Sequence, residues 1–231
     1  MHKDLKDRFT DISKKIQAAC LEAQRSEEDV KLIAVSKLQS IEVIKAAYSL
    51  GINHFGENYA QELDKKVLAT PKDIIWHFIG PIQSNKVKLI AKHAHWIHSL
   101  EREKIAKKLN DALEKERRKI KVLIQVNIDQ EESKSGINSN NVIDFASHID
   151  VNCPNLILKG LMFMPKINQS KKDKIDSMKN ITALQNTFVN KFPACNVLSL
   201  GTSNDFEESI LAGSTMIRIG ESLLGLSLIH I

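Results

Sequence analysis

Short apolar runs rich in β-branched residues alternate with helical patterns eight times along this chain, and that alternation leaves few folds open. The apolar runs fall at 32–36, 52–56, 73–80, 94–99, 122–128, 156–162, 196–200 and 215–219. Between them, apolar residues recur at helical spacing over 40–49, 59–69, 85–92, 101–117, 140–149, 171–190 and 205–212. Ser40 is placed to cap the first of these helices, Gly51 to stop it, and Ser84-Asn85 to open the one that runs to about residue 92. Strands alternating with helices call for a parallel sheet. Eight such units of about 20–35 residues predict a closed (β/α)8 TIM barrel. An open doubly wound sheet is the alternative, but no run reads as an edge strand and no GxGxxG follows the first strand. Residues 3–25 form an extra amphipathic helix ahead of the first strand, with Leu5, Phe9, Ile12, Ile16 and Ala19 on one face. No Pro/Gly/Ser linker or break in composition divides the chain, so one domain is expected over residues 1–231.

The bulk chemistry narrows the function classes. The net charge of +5 is spread over many lysines interleaved with carboxylates, which favours a solvated surface with some attraction for phosphorylated small molecules. No nucleic-acid partner is expected, since no binding motif accompanies the charge. Cys20, Cys153 and Cys195 are few, odd in number and far apart, and no Cys/His pair has metal-ligand spacing. A reducing compartment and no metal site are expected. The first residues lack an apolar signal core and no run is long enough to span a bilayer, so a cytoplasmic protein without membrane contact is expected. No exposed apolar stripe stands out, and a monomer is expected.

In a barrel of this kind the site is built from the C-terminal ends of the strands. Lys37 ends the first strand, Lys31-Leu32-Ile33-Ala34-Val35-Ser36-Lys37. An amine at the mouth of a buried strand is open to desolvation, which favours its neutral, nucleophilic form and Schiff-base chemistry. The ordinary alternative is a surface lysine in a strand–helix loop. Two later strand ends look built for an anion. Gly201-Thr202-Ser203-Asn204-Asp205 places two hydroxyls before a helix N-terminus, where backbone amides and the helix dipole attract phosphate. An ordinary cap, with Asn204 and Glu207 as a capping box, accounts for the same residues equally well. In Arg218-Ile219-Gly220-Glu221-Ser222 the glycine allows close backbone approach, and Arg218 sits in an apolar run, where it needs a carboxylate, a phosphate or a bound heterocycle. Asn58 ends the second strand. His98 and Asn127 stand apart from other polar groups in the sequence and read as structural, and His77 as a satisfied histidine within the sheet.

Taken together, Ala34-Val35-Ser36-Lys37, Phe55-Gly56-Glu57-Asn58-Tyr59-Ala60-Gln61-Glu62, Trp76-His77-Phe78-Ile79-Gly80-Pro81-Ile82-Gln83-Ser84-Asn85-Lys86, Ser133-Lys134-Ser135-Gly136, Gly160-Leu161-Met162, Leu198-Ser199-Leu200-Gly201-Thr202-Ser203-Asn204-Asp205 and Arg218-Ile219-Gly220 occur in an order and spacing close to one known pattern. The chain resembles the YggS/PROSC family of pyridoxal 5'-phosphate (PLP) homeostasis proteins over roughly residues 30–225. That resemblance implies an alanine-racemase-like barrel with PLP as cofactor. It implies Lys37 as the residue that holds PLP in a Schiff base, Arg218 at the pyridine nitrogen and Asn58 along the pocket. Phosphate contacts would come from Ser203 with Thr202 nearby, and from backbone amides around Gly220 and Glu221. Lys134 matches a second family lysine, a candidate secondary PLP contact. Thr202 stands where the family often has methionine, and Glu221 where a small hydroxyl residue is common.

An arginine at the ring nitrogen is a poor proton donor, so the cofactor's electron sink would be weak. Racemisation also needs a second acid/base group, and the chain offers only Tyr48 and Tyr59. The reading that follows is a PLP carrier in intracellular vitamin B6 homeostasis, with no catalytic residues, which passes PLP to apo-enzymes. The alternatives are a PLP-dependent amino-acid racemase and, from another class, a cofactor-free Schiff-base aldolase built on Lys37.

Overall fold

The computed structural model describes residues 2–128, 135–165 and 171–226. Eight parallel strands close on themselves as a barrel: β1 (Lys31–Val35), β2 (His54–Glu57), β3 (Ile75–Phe78), β4 (Trp96–Leu100), β5 (Ile120–Asn127), β6 (Leu156–Phe163), β7 (Val197–Ser199) and β8 (Met216–Ile219). β8 returns to β1 with Ile33 opposite Arg218, and β4 joins β5 with Ile97 opposite Val122. That closure excludes the open sheet. A two-residue strand, Ile137–Asn138, adds to the end of β5 and has no signal in the sequence.

The helices follow the strands around the outside. They are α2 (Ile41–Ser49), α3 (Ala60–Ala69), α4 (Val87–His93), α5 (Glu103–Lys115), α6 (Val142–Asn152), α7 (Lys171–Lys191), α8 (Phe206–Leu211) and a four-residue α9 (Glu221–Leu224), preceded by α1 (His2–Glu22). Ser40 caps α2 as expected, accepting from the Val43 amide. Ser84 and Asn85 do not cap α4. They lie in a turn closed by Lys86 N to Gln83 O, and the helix starts two residues later than the sequence implies. α1 packs its apolar face, including Leu5, Ile12 and Ile16, on α8 and α9. Arg8 Nε fixes the contact by donating to Leu223 O at 2.8 Å.

The strand pattern explains the two cores. Alternate residues face inward and outward. The outward set, such as Ala34, Phe55, Phe78 and Ile217, joins the helices in a large apolar layer. The inward set includes Ile33, Trp96, Leu123, Met162 and Met216, a small cluster inside the barrel. Branched apolar residues usually fill such an interior. Here His77, His98, Ser199 and Arg218 share it, all buried.

Candidate functional site

Parallel pairing puts β7, β8, β1 and β2 side by side, so the strand ends flagged in the sequence lie on one continuous arc of the mouth. Lys37 follows β1 and Asn58 follows β2, with Ser36 N donating to Gly56 O at 2.9 Å between the two strands. Gly220 follows β8 beside Val35: a Cβ at Gly220 would sit 3.5 Å from the valine Cβ, an ordinary contact. Thr202 and Ser203 follow β7. Ser222 Oγ donates to Ser203 Oγ at 2.9 Å and so joins the two segments expected to hold an anion. Ser222 is missing from the sequence-derived set, although it ends one of the segments singled out.

Lys37 itself is exposed, not buried at the strand end as its position in the sequence suggested. Its side chain has no hydrogen bond or ion pair among the described residues. What is buried is the backbone clamp around it. Lys66, on α3, donates to Ser36 O (2.7 Å), Glu57 Oε1 (2.8 Å) and Glu62 Oε2 (2.6 Å). Glu62 Oε2 also accepts from Leu38 N at 2.8 Å, and Ser36 Oγ donates to Glu57 Oε1 at 2.6 Å. Leu38 adopts φ +60°, a left-handed turn that a branched aliphatic residue takes only when held there. Burial raises the Glu57 carboxyl above the usual range, against the opposing pull of Lys66 and Ser36.

Asn58 Oδ1 is buried without a hydrogen-bond partner among the described residues. Its backbone is pressed by the end of β3: a Cβ on Gly80 would lie 2.2 Å from Asn58 O, so only glycine fits.

Arg218 is 5 % exposed, and its partners among the described residues are neutral: the Ser199 hydroxyl and Phe163 O, the latter at 2.9 Å. Burial lowers its pKa to about 10, with the Asp205 charge pulling the other way. The carboxylate expected as one possible partner is therefore not in contact. Below Ser199 the polar interior continues. Ser199 Oγ lies 2.9 Å from His98 Nδ1, His98 Nε2 lies 2.9 Å from His77 Nδ1, and His77 Nε2 lies 2.8 Å from His54 Nδ1. His98 is therefore not isolated, and His77 is satisfied as expected. The link was invisible in the sequence because His98 and Ser199 are 101 residues apart.

The turn after β7 differs from the expected capping box. Asp205, not Asn204, takes the N-cap position of α8, and its carboxylate reaches back to accept from Thr202 N (2.7 Å) and Thr202 Oγ1 (2.9 Å). Thr202 is thereby committed, which leaves Ser203 and the amides opening α9 as donors. α8 and α9 are six and four residues long, so their dipoles add little to the local amides. Lys134 lies outside the described residues. Among the described residues no group of three His, Cys, Asp or Glu could hold a metal ion, and no helix is long and apolar enough to cross a membrane. A surface cavity of about 610 Å³ between α7 and α8 is lined by Met178 and Leu211 among others, and by none of the mouth residues above.

Comparison with known proteins agrees with this geometry. The pattern of the alanine racemase N-terminal domain matches residues 14–228. The pyridoxal phosphate homeostasis protein of Vibrio alginolyticus is 43% identical over 206 residues, 87% of this chain and 88% of that protein. PipY of Synechococcus elongatus, solved with PLP bound, superposes with a TM-score of 0.78 at 27% identity, over 91% of this chain and 99% of that one. Alanine racemase of Clostridium difficile 630 shares the fold at 13% identity and a TM-score of 0.77, with 96% of this chain covering 56% of that enzyme. The mouth of a closed barrel, an exposed lysine after β1 and a buried arginine in β8 thus belong to a chain of the pyridoxal phosphate homeostasis protein family, within the alanine racemase N-terminal domain fold.

Proposed function

We propose that this chain binds PLP covalently through Lys37 and serves intracellular PLP homeostasis as a carrier that hands PLP to apo-enzymes, without catalytic turnover. The observation that carries the reading is Arg218: a buried cation whose partners among the described residues are all neutral, one strand away from a lysine amine with no partner among them. A cation so placed needs an acceptor with a lone pair, and a pyridine nitrogen is one.

PLP supplies an aldehyde that condenses with an amine, and a ring that withdraws electrons. The chain supplies the rest. Lys37 offers its amine from an exposed position on a backbone fixed at both sides by Lys66 and Glu62. Arg218 donates to the ring nitrogen and keeps its own proton, which leaves that nitrogen unprotonated and the electron sink weak. Ser203, with the amides of Gly220 and Glu221, receives the phosphate, and Thr202 shapes that turn through Asp205. Asn58 Oδ1 is a free acceptor along the pocket. The PLP-bound PipY structure and the names of the curated relatives support the cofactor. Three buried free cysteines suit a reducing cytoplasm, and the reading is of a monomer.

The racemase alternative needs a second acid/base group at the mouth. Tyr48 donates to Asp73 at 2.6 Å, on the other end of α2, and Tyr59 is 51 % exposed at the start of α3.

The test is the visible absorption spectrum of the protein charged with PLP, before and after borohydride. A yellow band that bleaches, with the cofactor mass then mapped to Lys37, is expected. A colourless protein that added PLP cannot charge overturns the reading and returns the cofactor-free aldolase. Exchange of amino-acid α-protons in deuterated water at enzymatic rates would instead establish the racemase.

A further inference from the structure

The inside of the barrel holds a line of polar contacts that PLP binding by itself does not require. It runs from Arg218 through Ser199, His98 and His77 to His54, with each histidine-mediated contact at 2.8–2.9 Å. Its direction follows from hydrogen counting. A guanidinium only donates, so Ser199 Oγ must accept from Arg218. Ser199 is fully buried, and its remaining side-chain contact among the described residues is His98 Nδ1. Its hydroxyl hydrogen therefore goes to Nδ1, which makes His98 an acceptor there and places its proton on Nε2. His98 Nε2 then donates to His77 Nδ1, which puts the His77 proton on Nε2 as well. His77 Nε2 donates to His54 Nδ1, leaving the His54 proton on Nε2. The reverse direction would aim two donors at Ser199 Oγ and strand its hydrogen in a buried site. His54 is only partly buried, so the last N–H of the chain can reach solvent. Both nitrogens of His77 and His98 are used, and a second proton on either ring would leave two donors facing each other.

Packing holds the rings in place. His77 stacks on Trp96 with centroids 5.8 Å apart and planes 12° apart, and Lys121 Nζ lies 5.1 Å from the centre of the same indole. A cation at this end discourages a further charge on the chain.

We propose that Ser199, His98, His77 and His54 are positioning residues for Arg218, forming a one-way chain of neutral groups that fixes the plane of its guanidinium and leaves its charge free to face the ring nitrogen of the cofactor. The last clause rests on the PLP reading above, and the chain and its direction rest on the geometry alone.

Histidine tautomers read the proposal directly. In the full-length chain without cofactor, labelled with ¹⁵N-histidine, two-bond ¹H–¹⁵N correlation should show His54, His77 and His98 neutral and protonated on Nε2. A proton on Nδ1 of His77 or His98, or a charged ring at neutral pH, overturns the chain. Arg218→Met removes the group that sets the direction, so Nδ1-protonated forms should appear at His98 and be passed on to His54. Unchanged tautomers in that variant would show that the arginine does not set the direction. A second measurement compares the binding of PLP with that of its 1-deaza analogue, in which a C–H replaces the ring nitrogen. The unmodified chain should prefer PLP by about tenfold or more, the size of one hydrogen bond to a charged donor. Ser199→Ala and His98→Leu should lose most of that preference, while His98→Asn, which keeps an acceptor for Ser199, should restore it. A preference that survives Ser199→Ala and His98→Leu overturns the positioning role. A chain that binds neither ligand overturns the PLP reading and the ring-nitrogen clause with it, while the tautomers decide the chain on their own.

Discussion

Lys66 Nζ lies 2.7 Å from the carbonyl oxygen of Ser36, the residue before Lys37. The same ammonium spends its other two hydrogens on Glu57 and Glu62, so all three donors are satisfied in one buried knot. Through Glu62 and Leu38 N it also holds the residue after Lys37. A helix lysine thus sets the backbone on both sides of the proposed anchor without touching it.

Lys66→Met is expected to destabilise the fold by about 3–5 kcal/mol, because it leaves the Glu57 carboxylate buried without its cation. Glu57 is fully buried and its Oε2 already lacks a partner among the described residues, so little can compensate. Adding Glu57→Gln to Lys66→Met should recover a large part of the loss. Urea midpoints of the two variants and the unmodified chain measure this, and equal midpoints for Lys66→Met and the unmodified chain would show that the pair carries no weight.

Gly160 stands where β6 slips register against β5, between the pairs Val122–Leu158 and Leu123–Gly160. Its φ is +150°, and a Cβ there would lie 1.8 Å from Val197 O on β7. Gly160→Ala must therefore push two barrel strands apart, and a loss of at least about 4 kcal/mol is expected. Gly213 is the comparison: φ is +94° but nothing lies within 4 Å of its would-be Cβ. Gly213→Ala should cost only the backbone term of about 1–2 kcal/mol. Similar losses at both sites would mean that the β6–β7 contact is not limiting.

The buried histidines make stability depend on pH in a predictable direction. Burial lowers the pKa of His54 to about 4, with Lys31 and Lys121 adding to the effect. Burial also holds His77 and His98 well below the ordinary histidine value. The unfolded chain takes up protons near pH 6.5 while the folded chain does not, so stability is full above that pH and falls below it. Each histidine contributes up to about 1.4 kcal/mol per pH unit, and His54, the least buried, less. The His54 share ends near pH 4, where both states are protonated. Urea midpoints at pH 7, 6 and 5 should fall steadily, and His54→Gln should flatten the slope. A flat profile from pH 7 to 5 would mean that the three rings are not held neutral.

The alternation of strand and helix made the eight units legible, because each carries its own hydrophobic period; the count favoured a closed barrel over an open sheet, and the pairing of β8 with β1 decides it. Capping was less legible. Asp205, Asn204 and Ser203 are all competent caps, and only the fold decides that Asp205 turns back to Thr202. Lys37, Arg218 and Ser203 could be found at strand ends, where a charge or hydroxyl interrupts an apolar run. Lys66 could not, since a lysine on an amphipathic helix looks like any solvated lysine until Glu57 is placed beneath it. The histidine chain was hidden for a related reason. Its members occupy four separate strands, one of them a serine with no signal of its own, and they meet only inside a closed barrel.

Lys37→Ala separates the proposed anchor from the scaffold. The Lys37 side chain is exposed and makes no hydrogen bond or ion pair among the described residues, so its loss should change stability by less than about 0.5 kcal/mol. The clamp does not depend on it, because Lys66 and Glu62 hold the backbone of Ser36 and Leu38 rather than the side chain between them. Covalent retention of PLP should nevertheless vanish: after borohydride treatment no cofactor mass should remain on the protein. Arg218 and Ser203 would be left in place, so weak, reversible binding of PLP should persist and be removed by dialysis. If Lys37→Ala still yields a borohydride-stable adduct at full occupancy, another amine is the anchor. If instead it unfolds with Lys66→Met-like losses, the Lys37 side chain carries structural weight that its exposed position does not show.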